Sequence, residues 1–346
     1  MHTLRLPCER GSYGGRRVLE RERPRHSAMA SPSSSVHALG SRDWALPNVS
    51  FHRQHLDALL AAHVGAYRTA LPFPHTVIES LMPLEVVRAV ASEIPEQMLQ
   101  SGCVPGAAVC YRKKNVHFRK SEIHHNSMGM HTRALFAALR SRVFVKFLER
   151  LSGIRPLIPD PGYQGSGVHL TGSGGILKVH HDFNFMLCRR LDEADGGGSR
   201  YGDCKRGANM NSDGRSHRLH RRVNVFFYLN DDWPDHYNGH LELWARNMST
   251  CHKRILPSFG RFVAFSSTDF SLHGHPAPMD ALPQNRLRRS IAFYYYSTLD
   301  RPKQECEDGD CFSFHDAVWK DPIGCPSCSE CSAGVAPPVL QAPDPD

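Results

Sequence analysis

The spacing of hydrophobic residues changes near residue 158. From about Pro47 to Leu157, apolar residues recur at helical intervals. Leu56, Leu59 and Leu60 with His63 form one group, and Val86, Val87, Val90 and Ile94 follow Pro83. Leu135, Phe136 and Leu139, then Val143, Phe147, Leu148 and Leu151, give the clearest stripes, with Gly153 placed to cap the last helix. A short run, His75–Ile78, predicts a strand before the second helix. Residues 46–157 therefore read as a helical support region. Beyond it, short β-rich runs alternate with Gly, Pro, Asn and Asp: Gly167–Leu170, Ile176–His180, Val223–Leu229, Leu241–Trp244, Lys253–Leu256, Arg261–Ser266 and Arg288–Ser297. Many short strands with turn signals predict a sandwich or jelly roll over 158–300. In the last run Arg288, Ser290, Ala292 and Tyr294 share one face.

Three stretches lack either rhythm. Residues 1–45 carry a basic excess, with eight Arg against three Glu (Glu9, Glu20, Glu22) before residue 43, and read as a disordered tail. A transit peptide is the sharper alternative, supported by arginine and serine and weakened by the glutamates. The span from Leu187 to His220 is rich in Gly, Asp and Arg and predicts a long mobile loop, a 187–220 insertion in the core. Residues 301–346, rich in Pro, Cys and acidic groups, read as an appendage.

Composition narrows the partners. The chain has 346 residues, a formal net charge of +8, 40% hydrophobic and 22% charged residues. Aromatic residues are not interleaved with the basic ones, so nucleic acid is not an expected partner. No segment approaches 18 consecutive apolar residues, so no membrane span is expected. An odd total of 11 cysteines without an apolar leader region predicts reduced thiols and an intracellular site, cytoplasmic before organellar. Cys325, Cys328 and Cys331, with Cys306 or Cys311 as a fourth thiolate, are a zinc candidate in the tail; free thiols are the plainer reading.

The candidate chemistry starts at His180 and Asp182, which project to the same side of a strand while His181 faces away. A third histidine would complete a two-histidine, one-carboxylate triad with open positions for Fe(II). His273 and His275 are both candidates, and spacing does not choose between them. His273, at a strand end before Gly274, is better placed; His275 then reads as a neighbour. Arg288 in an apolar strand either meets an anion or is an edge residue reaching water. Ser290 shares its face and could add a hydrogen bond.

The ordered set His180-x-Asp182, Tyr228-Leu-Asn-Asp-Asp-Trp, Gly239-His-Leu-Glu-Leu, His273 and Arg288-x-Ser290 resembles the Fe(II)/2-oxoglutarate-dependent oxygenases, most closely their prolyl-4-hydroxylase-like branch. The likeness spans about Pro72 to Ser297. It implies a mainly β fold with flanking helices around a double-stranded β-helix (jelly roll) core. It assigns Fe(II) to His180, Asp182 and His273, and the far carboxylate of 2-oxoglutarate to Arg288 with Tyr228 or Ser290. Tyr228 on its own reads as core. O2 is the implied oxidant and ascorbate a candidate reductant. The implied reaction couples decarboxylation to succinate with hydroxylation of a peptidyl (prolyl among the options) or small-molecule substrate; halogenating relatives lack the carboxylate that Asp182 supplies. His169 is a candidate pocket residue, with a structural role the plainer reading. The competing class is a non-catalytic jelly-roll metal sensor or scaffold with a cysteine-rich interaction tail. Oligomeric state is not legible.

Overall fold

One long strand organises the molecule. The computed structural model describes residues 49–95, 109–111, 117–123, 125–191, 201–207, 216–279, 281–283, 286–309 and 311–321. The basic stretch 1–45 and the cysteines at 325, 328 and 331 lie outside them. Four α-helices, α1 (Arg53–Thr69), α2 (Leu84–Ser92), α3 (Met130–Leu139) and α4 (Arg142–Ser152), accompany β1 (His75–Ile78), β2 (Val109–Tyr111), β3 (His117–Ile123) and β4 (Ile158–Pro159). The remaining strands are β5 (Gly167–His181), β6 (Phe185–Arg190), β7 (Tyr201–Arg206), β8 (Ser216–Tyr228), β9 (Leu241–Trp244), β10 (Cys251–Ile255), β11 (Phe262–Ser266), β12 (His273–His275), β13 (Arg288–Ser297) and β14 (Val318–Trp319).

Pairing runs β1-β11-β8-β13-β5-β12-β9-β10, antiparallel throughout. The fold is the expected mainly antiparallel jelly roll with four helices. β5 spans two neighbourhoods. Its first half pairs with β13, and its last residues pair with β12 and β14. The two runs expected at 167–170 and 176–180 are thus one strand, bent where Gly174 takes φ 71°.

The helices pack on one face of this sheet. In α4, Phe147, Leu148 and Leu151 are buried, as their spacing predicts, while Phe144 is buried in place of the expected Val143, which is only partly so. Ser141 caps its start by accepting from the Phe144 amide (3.3 Å), and Gly153 ends it at φ 78°. Phe144 stacks on Phe51 at 4.3 Å and meets Phe262 and Tyr295 of the sheet. Helix packing and strand pairing are therefore stabilised by the same apolar contacts.

Four expectations change. The stretch 187–220 is not simply a loop: β6 pairs with both β7 and β8, and a Cys188–Cys204 disulfide joins the hairpin. Leu187 and Leu219 lie on paired strands in a segment whose glycines masked the alternation. Residues 301–321 are not an appendage, because β14 pairs with β5. Cys306 and Cys311 form a disulfide, against the expectation of reduced thiols, so neither supplies a zinc thiolate. The helical region also holds β2 and β3, the second of which pairs with β5.

Truncating Phe144 to Ala should cost about 3–5 kcal/mol by leaving a cavity at the helix–sheet contact. Urea unfolding should show a lower midpoint with unchanged slope, and metal affinity under native conditions should stay at the wild-type value.

Candidate metal centre

Strand register brings the expected ligands together. His180 is the penultimate residue of β5 and Asp182 lies just past its end; His273 opens β12, directly opposite His180. One ligand atom from each of the three lies within 4.8 Å of the others, and all three side chains are buried. His275 pairs instead with Leu177 after a register shift, so the ambiguity left by spacing resolves in favour of His273. Gly274 permits the close approach: a Cβ there would lie 2.8 Å from the carbonyl oxygens of Leu177 and Lys178.

Both imidazoles are oriented from behind. His180 Nδ1 lies 2.9 Å from the Lys178 carbonyl oxygen, and His273 Nδ1 lies 2.8 Å from that of Ser271. A carbonyl only accepts, so Nδ1 carries a proton in each ring and Nε2 is the nitrogen turned toward Asp182. His180 Nε2 is 3.7 Å from Asp182 Oδ1, and His273 Nε2 is 3.6 Å from Oδ2. Burial lowers the His273 pKa, partly opposed by Asp182, which favours the neutral ring a metal needs.

Asp182 would resist ionising in this dry setting if burial acted alone. The Arg221 guanidinium overcomes that effect, followed by His273, His180 and the Asn224 hydrogen bond, and the carboxyl is held well below the usual range. Arg221 Nη2 is 3.0 Å and Asn224 Nδ2 2.6 Å from Oδ2. Oδ1 accepts no hydrogen bond among the described residues. The carboxylate is therefore charged, fixed and open on one oxygen.

Arg288 lies farther into the same cavity. β13 lies between β8 and β5, so Arg288 is central and buried (5% exposed), not the edge residue of the alternative reading. Its Nε donates to the Gly239 carbonyl (2.6 Å), and Nη1 reaches Ser290 Oγ at 3.5 Å. No carboxylate pairs with it among the described residues. Its guanidinium sits 5.1 Å from the Tyr228 ring centre, and Tyr228 is the cross-strand neighbour of Ser290. The buried Tyr228 hydroxyl faces this guanidinium and meets no geometric hydrogen-bond criterion with any described residue. A buried guanidinium without a carboxylate, beside a buried hydroxyl, suits an anion. Gly239 is required here twice: it has φ 73°, and a Cβ would lie 3.0 Å from Arg288 Cδ.

A cavity of about 160 Å³ joins the triad to Arg288, Ser290 and Tyr228. The paired Lys120 and Glu122 (2.7 Å), His169 and Trp319 also line it. His169 therefore reaches the pocket, with Nε2 bonded to the Gly165 carbonyl at 3.0 Å. His181 faces away, fully buried, toward Asp269 and His315.

Arg221, Asn224 and Trp319 were not anticipated. Residues 221 and 224 should face opposite sides of a regular strand. The register shift where Tyr296 opposes Arg221 and Tyr295 opposes Val223 inserts a residue into β8, and both side chains reach Asp182. The polar residues Arg221 and Asn224 inside an apolar run were the available signal.

Two imidazoles and one charged carboxylate facing a buried cavity of the jelly roll form a cluster that could hold a metal ion. Residues 166–296 match the model of the 2OG-Fe(II) oxygenase superfamily. No curated protein matches the sequence. Among solved structures, a Pseudomonas putida prolyl-4-hydroxylase is similar at 17% identity and TM-score 0.41, over 69% of this chain and 98% of that one. A Trichoplax adhaerens prolyl hydroxylase, in complex with a hypoxia-inducible-factor oxygen degradation domain peptide, is similar at 16% identity and TM-score 0.40, over 70% and 91%. HygX from Streptomyces hygroscopicus, with nickel, 2-oxoglutarate and hygromycin B bound, is similar at 13% identity and TM-score 0.40, over 69% and 88%.

Replacing Arg221 with Gln should destabilise the metal-free protein by about 3–5 kcal/mol, because it leaves Asp182 buried without its countercharge. Saturating Co(II) should restore part of that loss, and thermal melts with and without metal measure both effects.

Proposed function

We propose that the chain is an iron- and 2-oxoglutarate-dependent oxygenase that hydroxylates a peptidyl or small-molecule substrate. The observation that carries this reading is the spatial pairing of the His180–Asp182–His273 cluster with a buried Arg288 that meets no carboxylate among the described residues, in one cavity. Either feature alone has a structural explanation; a metal site beside a vacant anion site fits a chelating dicarboxylate.

When bound there, Fe(II) and 2-oxoglutarate supply the oxidative decarboxylation to succinate and CO2 that drives oxygen insertion into a substrate C–H bond. The protein's part is positioning and exclusion of water. His180 and His273 present neutral Nε2 atoms, each locked by its backbone hydrogen bond. Asp182 offers Oδ1 while Arg221 and Asn224 hold Oδ2. Arg288 would receive the distal carboxylate through two charge-assisted hydrogen bonds, and Tyr228, kept protonated because burial raises its pKa against a smaller opposing effect of Arg288, would donate a third. Ser290 lies within reach of the same group. Hydroxylation of a prolyl residue is one option within this proposal.

Purified protein with Fe(II) should convert 2-oxoglutarate to succinate, and Asp182→Ala should abolish that turnover. Anaerobic addition of Fe(II) and 2-oxoglutarate should give a weak visible charge-transfer band. A protein that develops no band and releases no succinate across a peptide and metabolite screen is the metal-binding scaffold instead. Arg288→Ala should raise the 2-oxoglutarate requirement by roughly a hundredfold, since a buried charge pair loses one member. An unchanged requirement would remove Arg288 from this role.

A further inference from the structure

The segment after the last barrel strand returns to the metal ligands. Arg301 pairs with Asp269 at 2.7 Å, both side chains almost fully buried, and its Nη2 donates to the Arg221 carbonyl at 2.6 Å. The Glu307 amide and His315 Nε2 lie 3.0 and 2.9 Å from Asp269 Oδ2. Asn184 Nδ2 donates to the Ser313 carbonyl, and the His315 amide donates back to Asn184 Oδ1. These bonds deliver β14 to the end of β5, where Val318 opposes His181 and Trp319 opposes His180. The Lys320 amide then donates to the Val179 carbonyl at 2.9 Å.

His180 is consequently flanked by rings on two sides. The His273 ring centre is 4.5 Å away, and the Trp319 ring stacks at 4.4 Å with 28° between planes. The Nδ1 hydrogen bond holds one atom of the His180 ring. A stacked indole restricts the remaining tilt about that bond. Trp319 also lines the cavity, with Ala317 beside it. It registers near the C-terminal end of β5, whereas Arg288 registers with Thr171 toward the other end. The indole thus belongs to the metal side of the cavity, away from the anion-binding arm.

We propose that Trp319 is a positioning residue for His180 and the wall of the cavity on the substrate side, which makes residues 301–321 part of the active site. This rests on the oxygenase reading above. Fixing the imidazole plane raises metal affinity without touching the 2-oxoglutarate arm, and an apolar ring at the mouth keeps water from the ligand's exposed side.

The test uses the full chain under anaerobic conditions, with Fe(II) affinity measured by chelator competition and 2-oxoglutarate affinity by the charge-transfer band. Trp319→Leu keeps apolar bulk but removes the stack, and should weaken Fe(II) binding roughly two- to tenfold. Trp319→Phe should restore affinity to within about twofold, because a ring again faces the imidazole. At saturating Fe(II), 2-oxoglutarate affinity should be unchanged in both. Ni(II), a non-turnover probe, should quench tryptophan emission in the wild type, and most of that quenching should vanish in Trp319→Phe. Wild-type Fe(II) affinity in Trp319→Leu, or undiminished quenching in Trp319→Phe, overturns the proposal and leaves the oxygenase reading intact. The quenching comparison still decides the matter if the leucine variant does not fold. Absence of both metal binding and the band in the wild type overturns the oxygenase reading and this proposal with it.

Discussion

The site depends on keeping one carboxylate ionised in a dry interior. Asp182 sits among β-strands where burial favours the neutral acid, yet a ferrous centre needs the anion. Arg221 supplies the countercharge, itself buried and stacked 3.5 Å from the Tyr294 ring centre, and Asn224 fixes the geometry. The pairing leaves the metal-free cluster electrically balanced while the imidazoles stay neutral. A divalent cation entering alone would add uncompensated charge beside Arg221 and Arg288. A divalent cation entering with a dicarboxylate would not. Under the proposed function electrostatics would therefore favour joint loading, with a dicarboxylate chelating the metal at one end and meeting Arg288 at the other.

That balance depends on strand register. A one-residue slip of β12 against β5 would turn His273 away from His180, and Gly274 is what lets the two backbones come close enough for the present register. Likewise the inserted residue in β8 sets Arg221 and Asn224 on one side. β5 links both ends of the cavity through its bend at Gly174: Thr171 opposes Arg288 and His180 opposes His273. The helices stabilise the sheet from its other face, where Tyr67 of α1 bonds Ser266 of β11 at 3.0 Å and the Tyr295 hydroxyl of β13 donates to the Leu139 carbonyl of α3. Precision at the metal is thus supported by contacts that never touch it.

What the sequence made legible follows from periodicity. Helical stripes in α4 and the 288–297 strand survive almost unchanged because one rhythm dominates each segment. The i, i+2 relation of His180 and Asp182 is local, so it too was readable. Spacing alone could not choose His273 over His275, because that depends on pairing with a distant strand; the preference for His273 came from its place at a strand end and from the family likeness. Arg221 was hidden by a bulge, which breaks the alternation that strand reading relies on. The strands within 187–220 were hidden by glycine and charged residues, whose local preference for loops is overridden by pairing with β8. Trp319 was hidden because its significance lies in the return of a chain segment whose composition suggested no packing.

β5 also separates two clusters of the same residue types that have different chemistry. His180, Asp182 and His273 lie on one side; His181, Asp269 and His315 on the other. In the second, Arg301 occupies Asp269 Oδ1, while the Glu307 amide and His315 occupy Oδ2. Both carboxylate oxygens are satisfied by these donors, so neither is left open to a cation. In the first, both hydrogen-bond donors converge on Oδ2 and leave Oδ1 open beside His180. Residue identity does not separate a metal centre from a structural ion pair in this protein; the distribution of donors over the two carboxylate oxygens does. The second cluster's role is mechanical, since its bonds hold the 301–321 segment against β5, and the first cluster's ligand His180 is stacked by the tryptophan that this segment carries.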